Sequence, residues 1–309
     1  MQRRSFVPLS IGALLAPRSA RAAVAPAAFR EKMIGPVCSV PTVYNSDYSI
    51  DYAAIRRIVD CGLKAGSPVF ALTAGNSQYD RLTYTEIREL TSGLVKAVNG
   101  RGMVIAATGQ WWTGQCVDYA KHAEAAGADA LQVFLPAFGN DETVYAHFTA
   151  IAKATRLGIV LHGQVPLPLL KRLVGIESVV AYKEEYPPMY SAEVYSLYRD
   201  RLNIFGGGQK SRYLMFRDLG MKAYYSTFST FAPEVPRRFW SACGKGDLSA
   251  ARDVMNRQDI PFFARFSHGF WRATMAHFGT AQRYLRPPEP YWTETQVGGL
   301  KEFYKTLGV

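Results

Sequence analysis

Val179-Val180-Ala181-Tyr182-Lys183-Glu184 reads as a buried strand that ends in a lysine. Side chains alternate along a strand with a period of two. Val179, Ala181 and Lys183 are therefore expected on one face, and Val180, Tyr182 and Glu184 on the other. If the first face is a core, the amine lies at the end of an apolar slot. An uncompensated ammonium is costly there, which favours the neutral, nucleophilic amine. Such an amine attacks a ketone or aldehyde and holds it as a Schiff base. The competing reading is a structural lysine locked against a carboxylate.

Working outward, strands are expected over 35–43, 68–72, 103–107, 130–135 and 158–161 before this stretch, and over 202–205 and 223–228 after it. Helical segments separate them, with apolar residues at a 3.6 period, such as Ile55, Ile58 and Val59. Thr83 and Glu86 make a capping box, and Gly127 stops the helix that runs to Ala126. Strands and helices in this alternation predict an α/β fold, a (β/α)8 TIM barrel over 34–234. A doubly wound sheet is the alternative. It is disfavoured because no dinucleotide fingerprint follows the first strand and polar, Gly-rich stretches recur after successive strands. Beyond Pro236 the strand signals stop, and 249–258, 261–278 and 293–307 read as C-terminal helices packed on the barrel, within 235–309.

Residues 1–22 stand apart from this pattern. Arg3-Arg4-Ser5-Phe6 leads into a short apolar run and then Ala20-Arg21-Ala22, a small-x-small cleavage pattern. This resembles a twin-arginine export signal and predicts a periplasmic protein, with a cytoplasmic one as the alternative. The run is too short for a stable membrane span. Net charge is +11, of which +7 remains once the four arginines of 1–22 are set aside, a mild bias toward anionic small molecules. No dense basic run or nucleic-acid motif accompanies it, so nucleic acid is not expected as a partner. Cys38, Cys61, Cys116 and Cys243 lack any Cys-x-x-Cys spacing and are expected as buried free thiols. The His and acidic residues show no ligand spacing, so neither a metal nor a cofactor is expected.

Carbonyl chemistry needs a proton shuttle and a cradle for the substrate's charged end. Thr73, Gly75, Asn76 and Ser77 follow strand 2 and form a candidate carboxylate nest; a tight loop is the plainer reading. His162, just past strand 5 and next to strand 6, is the candidate acid–base group; a satisfied structural histidine competes with it. Tyr44 is a candidate hydroxyl donor. Gly207 and Gly208, with Gln209, allow close backbone approach to a ligand. Trp111 and Trp112 read as a pocket wall or a contact, and His147 as structural. Glu184 and Glu185 point apart as strand neighbours, against a glycosidase pair.

Val180-Ala181-Tyr182-Lys183-Glu184, Gly127-Ala128-Asp129-Ala130, Tyr145-Ala146-His147-Phe148, Ala232-Pro233-Glu234 and Gly246-Asp247-Leu248 carry a resemblance to the dihydrodipicolinate synthase and N-acetylneuraminate lyase family of class I aldolases and lyases. It extends from residue 34 nearly to the end. The resemblance implies a TIM barrel with three C-terminal helices, a homodimer or homotetramer, and a 2-oxo acid held on Lys183. Departures are plain. The family's Gly-Thr-Thr-Gly-Glu becomes Thr73-Ala74-Gly75-Asn76-Ser77, and its Pro-Tyr-Tyr becomes Pro136-Ala137-Phe138. Phe138, at the family's relay position, cannot transfer a proton. Three readings stay open: a divergent lyase that recruits His162 or a tyrosine hydroxyl, a slow Schiff-base former that mainly binds a small carboxylate or sugar acid, or a barrel that has lost its chemistry. The expected partner is a small 2-oxo acid or sugar acid.

Overall fold

The computed structural model describes residues 23–309; the export-signal reading of 1–22 lies outside the described residues. Strands β1 (Gly35–Ser39), β2 (Val69–Ala71), β3 (Met103–Ala107), β4 (Ala130–Phe134), β5 (Gly158–His162), β6 (Val179–Glu184), β7 (Asn203–Gly206) and β8 (Ala223–Ser226) pair in sequence order and close into a barrel. All pairs are parallel, including β1 with β8, through Gly35↔Ala223 to Cys38↔Ser226. That closing ladder rules out the open, doubly wound alternative. Strand 1 was expected to reach residue 43 and strand 8 residue 228; β1 ends at Ser39 and β8 at Ser226. The apolar residues beyond them belong to buried loops, and Phe228–Thr230 winds into a 3-10 turn.

Helix α1 (Pro26–Lys32) precedes β1 and gave no sequence signal of its own. Phe29 and Met33 are fully buried in one cluster with the barrel interior, including Val37, Ala71 and Ala181. The Asn203 amide donates to Arg30 O at 2.8 Å and Met33 O at 2.7 Å, tying α1 across the end where the strands begin. That end is thereby plugged, and a ligand is left the opposite end, where barrel sites lie.

The outer helices are α2 (Tyr52–Lys64), α3 (Tyr84–Val98), α4 (Thr113–Ala126), α5 (Asp141–Ala154), α6 (Leu167–Val174), α7 (Pro188–Tyr198) and α8 (Lys210–Phe216). Thr83 and Glu86 form the expected capping box. Gly127 ends α4 at φ +95°, a left-handed conformation that suits glycine. The tail forms α9 (Glu234–Gly244), α10 (Leu248–Val254), a π turn over Met255–Asp259, α11 (Ile260–Phe263), α12 (His268–His277), α13 (Glu294–Gly298) and α14 (Leu300–Leu307). The helix expected over 261–278 is broken, because Ser267 turns extended and its hydroxyl caps Phe270 N at 3.0 Å. The four cysteines are free and buried, as expected. Among the described residues no helix is long and apolar enough to cross a membrane.

Candidate active site

The site is built where β6 runs out. Ala181 packs in the barrel interior while Tyr182 packs in the outer layer, as alternation predicts. The expectation fails one step earlier: Val180 lies inside and Val179 outside. The reason is a bulge, since the register jumps from Ile159↔Val179 to Val160↔Ala181. It re-aims the first turn of β6 and leaves Lys183 on the inner face, paired in register with His162.

The outward side chains fix the frame. Tyr182 OH donates to Gly163 O at 2.6 Å, and Tyr190 OH to Val165 O at 2.6 Å, holding the loop after β5. Glu184 is fully buried and accepts from Tyr186 N at 2.7 Å, Arg212 Nε at 3.0 Å and Ser191 Oγ. Its role is to lock the exit of β6 against α7 and α8.

Lys183 Nζ lies 2.6 Å from Glu185 Oε2 and 3.1 Å from His162 Nε2, and His162 Nε2 lies 3.6 Å from Glu185 Oε2. The Tyr225 ring sits 5.3 Å from Nζ. Tyr225 OH donates to Gln132 Oε1 at 2.9 Å, and Gln132 Nε2 meets His162 Nδ1 at 3.2 Å. Phe134 packs on the imidazole at 4.1 Å between centroids. Residues of β4, β5, β6 and β8, with Glu185 just beyond β6, thus converge on one amine.

The expected uncompensated ammonium is therefore corrected: Glu185 supplies the opposite charge. The pair is not a sealed pin, however. Its side chains are 9% and 36% exposed, whereas the Lys210–Asp259 pair, also at 2.6 Å, is 0% and 2% exposed. Desolvation pushes the Glu185 carboxyl up, but the Lys183 charge and the His162 contact outweigh it and bring it to about 2. Burial pushes the His162 pKa down, against the pull of Glu185 and with that of Lys183. Both shifts favour a carboxylate and an uncharged imidazole at neutral pH.

Other expected residues are placed differently. In the loop after β2, Ser77 Oγ donates to Val40 O at 2.7 Å and accepts from Thr73 N at 3.2 Å, while Thr73 Oγ1 accepts from Asn76 N at 3.2 Å. Asn76 Nδ2 donates to Ser39 Oγ at 2.9 Å. These groups satisfy one another, as in the tight-loop reading; Gly75 is the exposed corner. Tyr44 is fully buried beneath the Arg286 guanidinium, 4.9 Å from its ring, and belongs to the contact between the tail and the β1 loop. Gly207 packs on the Glu185 carboxylate, where a Cβ would collide. Gly208 faces Phe263 and Thr227. Gln209 is exposed at the start of α8 and does not cap it with its side chain. Phe138 is 73% exposed and Trp112 69% exposed. With Trp111 and His147 they line a cavity of 320 Å³ of which Lys183 is not a lining residue. His147 is bonded to Thr113 Oγ1 at 2.9 Å, in line with its structural reading.

Glu185, Gln132 and Tyr225 were missed. The period of two that aims Lys183 inward also aims residue 185 the same way, and that signal was available. Gln132 is a polar residue amid Ala130, Leu131 and Val133, another usable signal. Tyr225 needed barrel closure to bring β8 opposite β4.

An amine at the inner end of the sixth strand of a (β/α)8 barrel, flanked by a proton-accepting group, is the arrangement of a Schiff-base-forming lyase. The chain belongs to the dihydrodipicolinate synthetase family, whose model matches residues 32–301, and whose members are lyases and dehydratases of class I aldolase type. It is 27% identical over 284 residues to a Bradyrhizobium diazoefficiens protein named "Probable 5-dehydro-4-deoxyglucarate dehydratase", covering 86% of this chain and 90% of the relative. It is 26% identical over 235 residues to the 4-hydroxy-tetrahydrodipicolinate synthase of Chelativorans sp., covering 72% and 80%. The crystal structure of N-acetylneuraminate lyase from Mycoplasma synoviae superposes with a TM-score of 0.79 at 17% identity, covering 90% of this chain and 98% of that one, a likeness of fold.

Proposed function

We propose that the protein dehydrates a sugar-derived 2-oxo acid held as an imine on Lys183. The observation that carries this reading is the amine itself, at the end of the sixth strand with a carboxylate at 2.6 Å and an imidazole at 3.1 Å. The Lys183 amine, relieved of its proton, attacks the 2-oxo carbon. Loss of water gives an iminium that draws electrons from the neighbouring carbon. A proton leaves C3, the hydroxyl on C4 departs as water, and hydrolysis frees the product from Nζ. The relative named as a 5-dehydro-4-deoxyglucarate dehydratase, aligned over 86% of the chain, supports a substrate of this kind. The remodelled loops after β2 and β4 argue against dihydrodipicolinate synthesis.

Borohydride trapping with pyruvate and a panel of sugar-derived 2-oxo acids, read by intact mass, tests the reading. Wild type is expected to gain one reduced adduct, absent from Lys183→Ala; an unmodified wild type overturns it. Turnover is assayed separately. The twin-arginine-like stretch over 1–22 supports export to the periplasm, which N-terminal sequencing of exported protein checks. Association as a homodimer or homotetramer, as the family resemblance implies, is checked by light scattering.

A further inference from the structure

We infer that Glu185 is the acid–base residue of this site, in place of the tyrosine hydroxyl that Phe138 lacks, and that Gln132 and Tyr225 are positioning residues that exclude His162 from that role. The inference rests on the Lys183 imine proposed above. Three groups could move a proton beside Nζ: Glu185, His162 and Tyr225. The hydrogen-bond order separates them. Tyr225 OH donates to Gln132 Oε1, which turns the amide NH2 toward His162 Nδ1. An Nδ1 that accepts leaves the ring proton on Nε2, the atom 3.1 Å from Nζ; the ammonium turns its protons to Glu185, and Nε2–H meets the nitrogen lone pair once Glu185 has freed the amine. On that side His162 has a proton to give and no lone pair to receive one. Tyr225 has its hydroxyl committed to Gln132, and burial, then Glu185, holds it protonated well above the usual phenol range. Tyr186, the other phenol facing Glu185, is likewise pushed up by burial and then by Glu185. Glu185 is the group that can accept.

Glu185 is also held for the task. Gly207 lies against its carboxylate, leaving no room for a Cβ, and Oε2 is pinned by Nζ at 2.6 Å. Its affinity for a proton follows the charge on Nζ. With Nζ charged, desolvation is outweighed by the Lys183 charge together with the His162 contact, and the group is a carboxylate. With Nζ neutral, desolvation remains and its proton affinity rises. The cycle uses both states. The carboxylate takes a proton from the ammonium, and the freed amine attacks C2, forming the C–N bond. The carbonyl oxygen receives a proton from nitrogen to give a neutral carbinolamine. Glu185 then gives its proton to that hydroxyl, the C–O bond breaks, and water leaves the iminium. The positive iminium restores the carboxylate, which takes a proton from C3 as the electron pair moves into the enamine. The neutral enamine again favours proton release, now to the C4 hydroxyl, which leaves as water.

The test uses pyruvate alone, so no true substrate is required. A C3 proton removed from bound pyruvate and returned from solvent exchanges for deuterium in D2O, which NMR follows; borohydride trapping on the same samples reports the imine. Wild type is expected to trap and to exchange. Glu185→Gln is expected to keep the trapped adduct at pH 8–9 while exchange falls by about 10²–10⁴-fold, the usual contribution of a general base. His162→Asn, which removes a contact to Nζ but not the base, is expected to lose at least about tenfold less exchange than Glu185→Gln, and an equal or larger loss overturns the inference. Exchange in Glu185→Gln within about threefold of wild type overturns the inference. So does loss of its adduct at pH 8–9, where bulk base can free the amine in its stead, since the fall in exchange would then follow from the missing imine and not from C3. Trapping by wild type without exchange overturns it as well. Absence of an adduct on wild type is a different failure, that of the Lys183 reading itself, and removes both.

Discussion

Two lysine–carboxylate pairs in this barrel share a distance of 2.6 Å, Lys183–Glu185 and Lys210–Asp259. Lys210 is enclosed by the Phe228 ring at 4.5 Å and by Tyr224 and Phe239, and Asp259 also accepts from Lys210 N at 2.7 Å. That pair ties the start of α8 to the π turn of the tail. The Lys183 pair instead has a carboxylate open on one flank and an uncharged imidazole on the other. Contact distance therefore does not distinguish a pin from a reactive pair. What distinguishes them is whether a ligand can reach one partner, and whether the surroundings supply further groups that move protons.

The largest expected difference between the pairs is chemical. Lys183→Ala should lower turnover by roughly 10⁴-fold or more, as loss of a covalent nucleophile does, while thermal unfolding stays close to wild type. A variant with more than one hundredth of wild-type turnover would place the chemistry elsewhere. Lys210→Met should do the reverse. It strands the buried Asp259 carboxylate, so unfolding by urea should show a loss of about 3–5 kcal/mol, with the borohydride adduct still on Lys183. Adding Asp259→Leu should recover most of that loss; if it does not, packing rather than charge made the pin. Tyr225→Phe sharpens the reactive side. It removes the hydroxyl that orients Gln132, at a cost of about 1 kcal/mol, and frees His162 to take the other tautomer. The pH–rate profile should change shape while the trapped adduct persists, and an unchanged profile would show that Gln132 needs no such guide.

The smallest effect concerns the charges that tie the tail to the loops after β1 and β2. Arg286 donates to Glu86 Oε1 at 2.6 Å and Oε2 at 3.1 Å, and to Tyr48 O and Arg81 O. The Arg286 hydrogen bond pulls the Glu86 carboxyl down, against burial, to about 2. An unfolded glutamate titrates near 4.3, roughly. The pair's stabilisation is therefore full above that value and is lost as pH falls through the folded value near 2. Glu86→Gln should cost about 1 kcal/mol at pH 7 and lessen the acid sensitivity of the melting temperature between pH 5 and 2. An identical acid limb in both proteins would assign it to other carboxylates.

How far each part was legible follows from the range of the forces involved. The βα alternation, the Thr83–Glu86 cap and the Gly127 stop depend on residues within a few positions of each other, and all were read correctly. Helix α1 left no clear pattern, because its value lies in Phe29 and Met33 filling the end of a cylinder that only exists once closed. Lys183 and His162 were legible because adjacent strands end together. The loop from Thr73 to Ser77 looked like a ligand cradle because its donors are visible in sequence, but their acceptors, Val40 O and Ser39 Oγ, lie on a different strand's exit.

The sequence by itself determined a barrel of alternating strands and helices, an amine aimed inward at the end of its sixth strand, and a phenylalanine, Phe138, where the family resemblance leads one to expect a tyrosine hydroxyl. Those rest on chain-local periodicity and on residue identity. The tertiary structure alone decided which charge meets that amine, which nitrogen of His162 faces it, and which end of the cylinder is plugged. Those depend on groups of β4, β5, β6 and β8 brought together by closure, and on a helix from before the first strand packed against the barrel's floor.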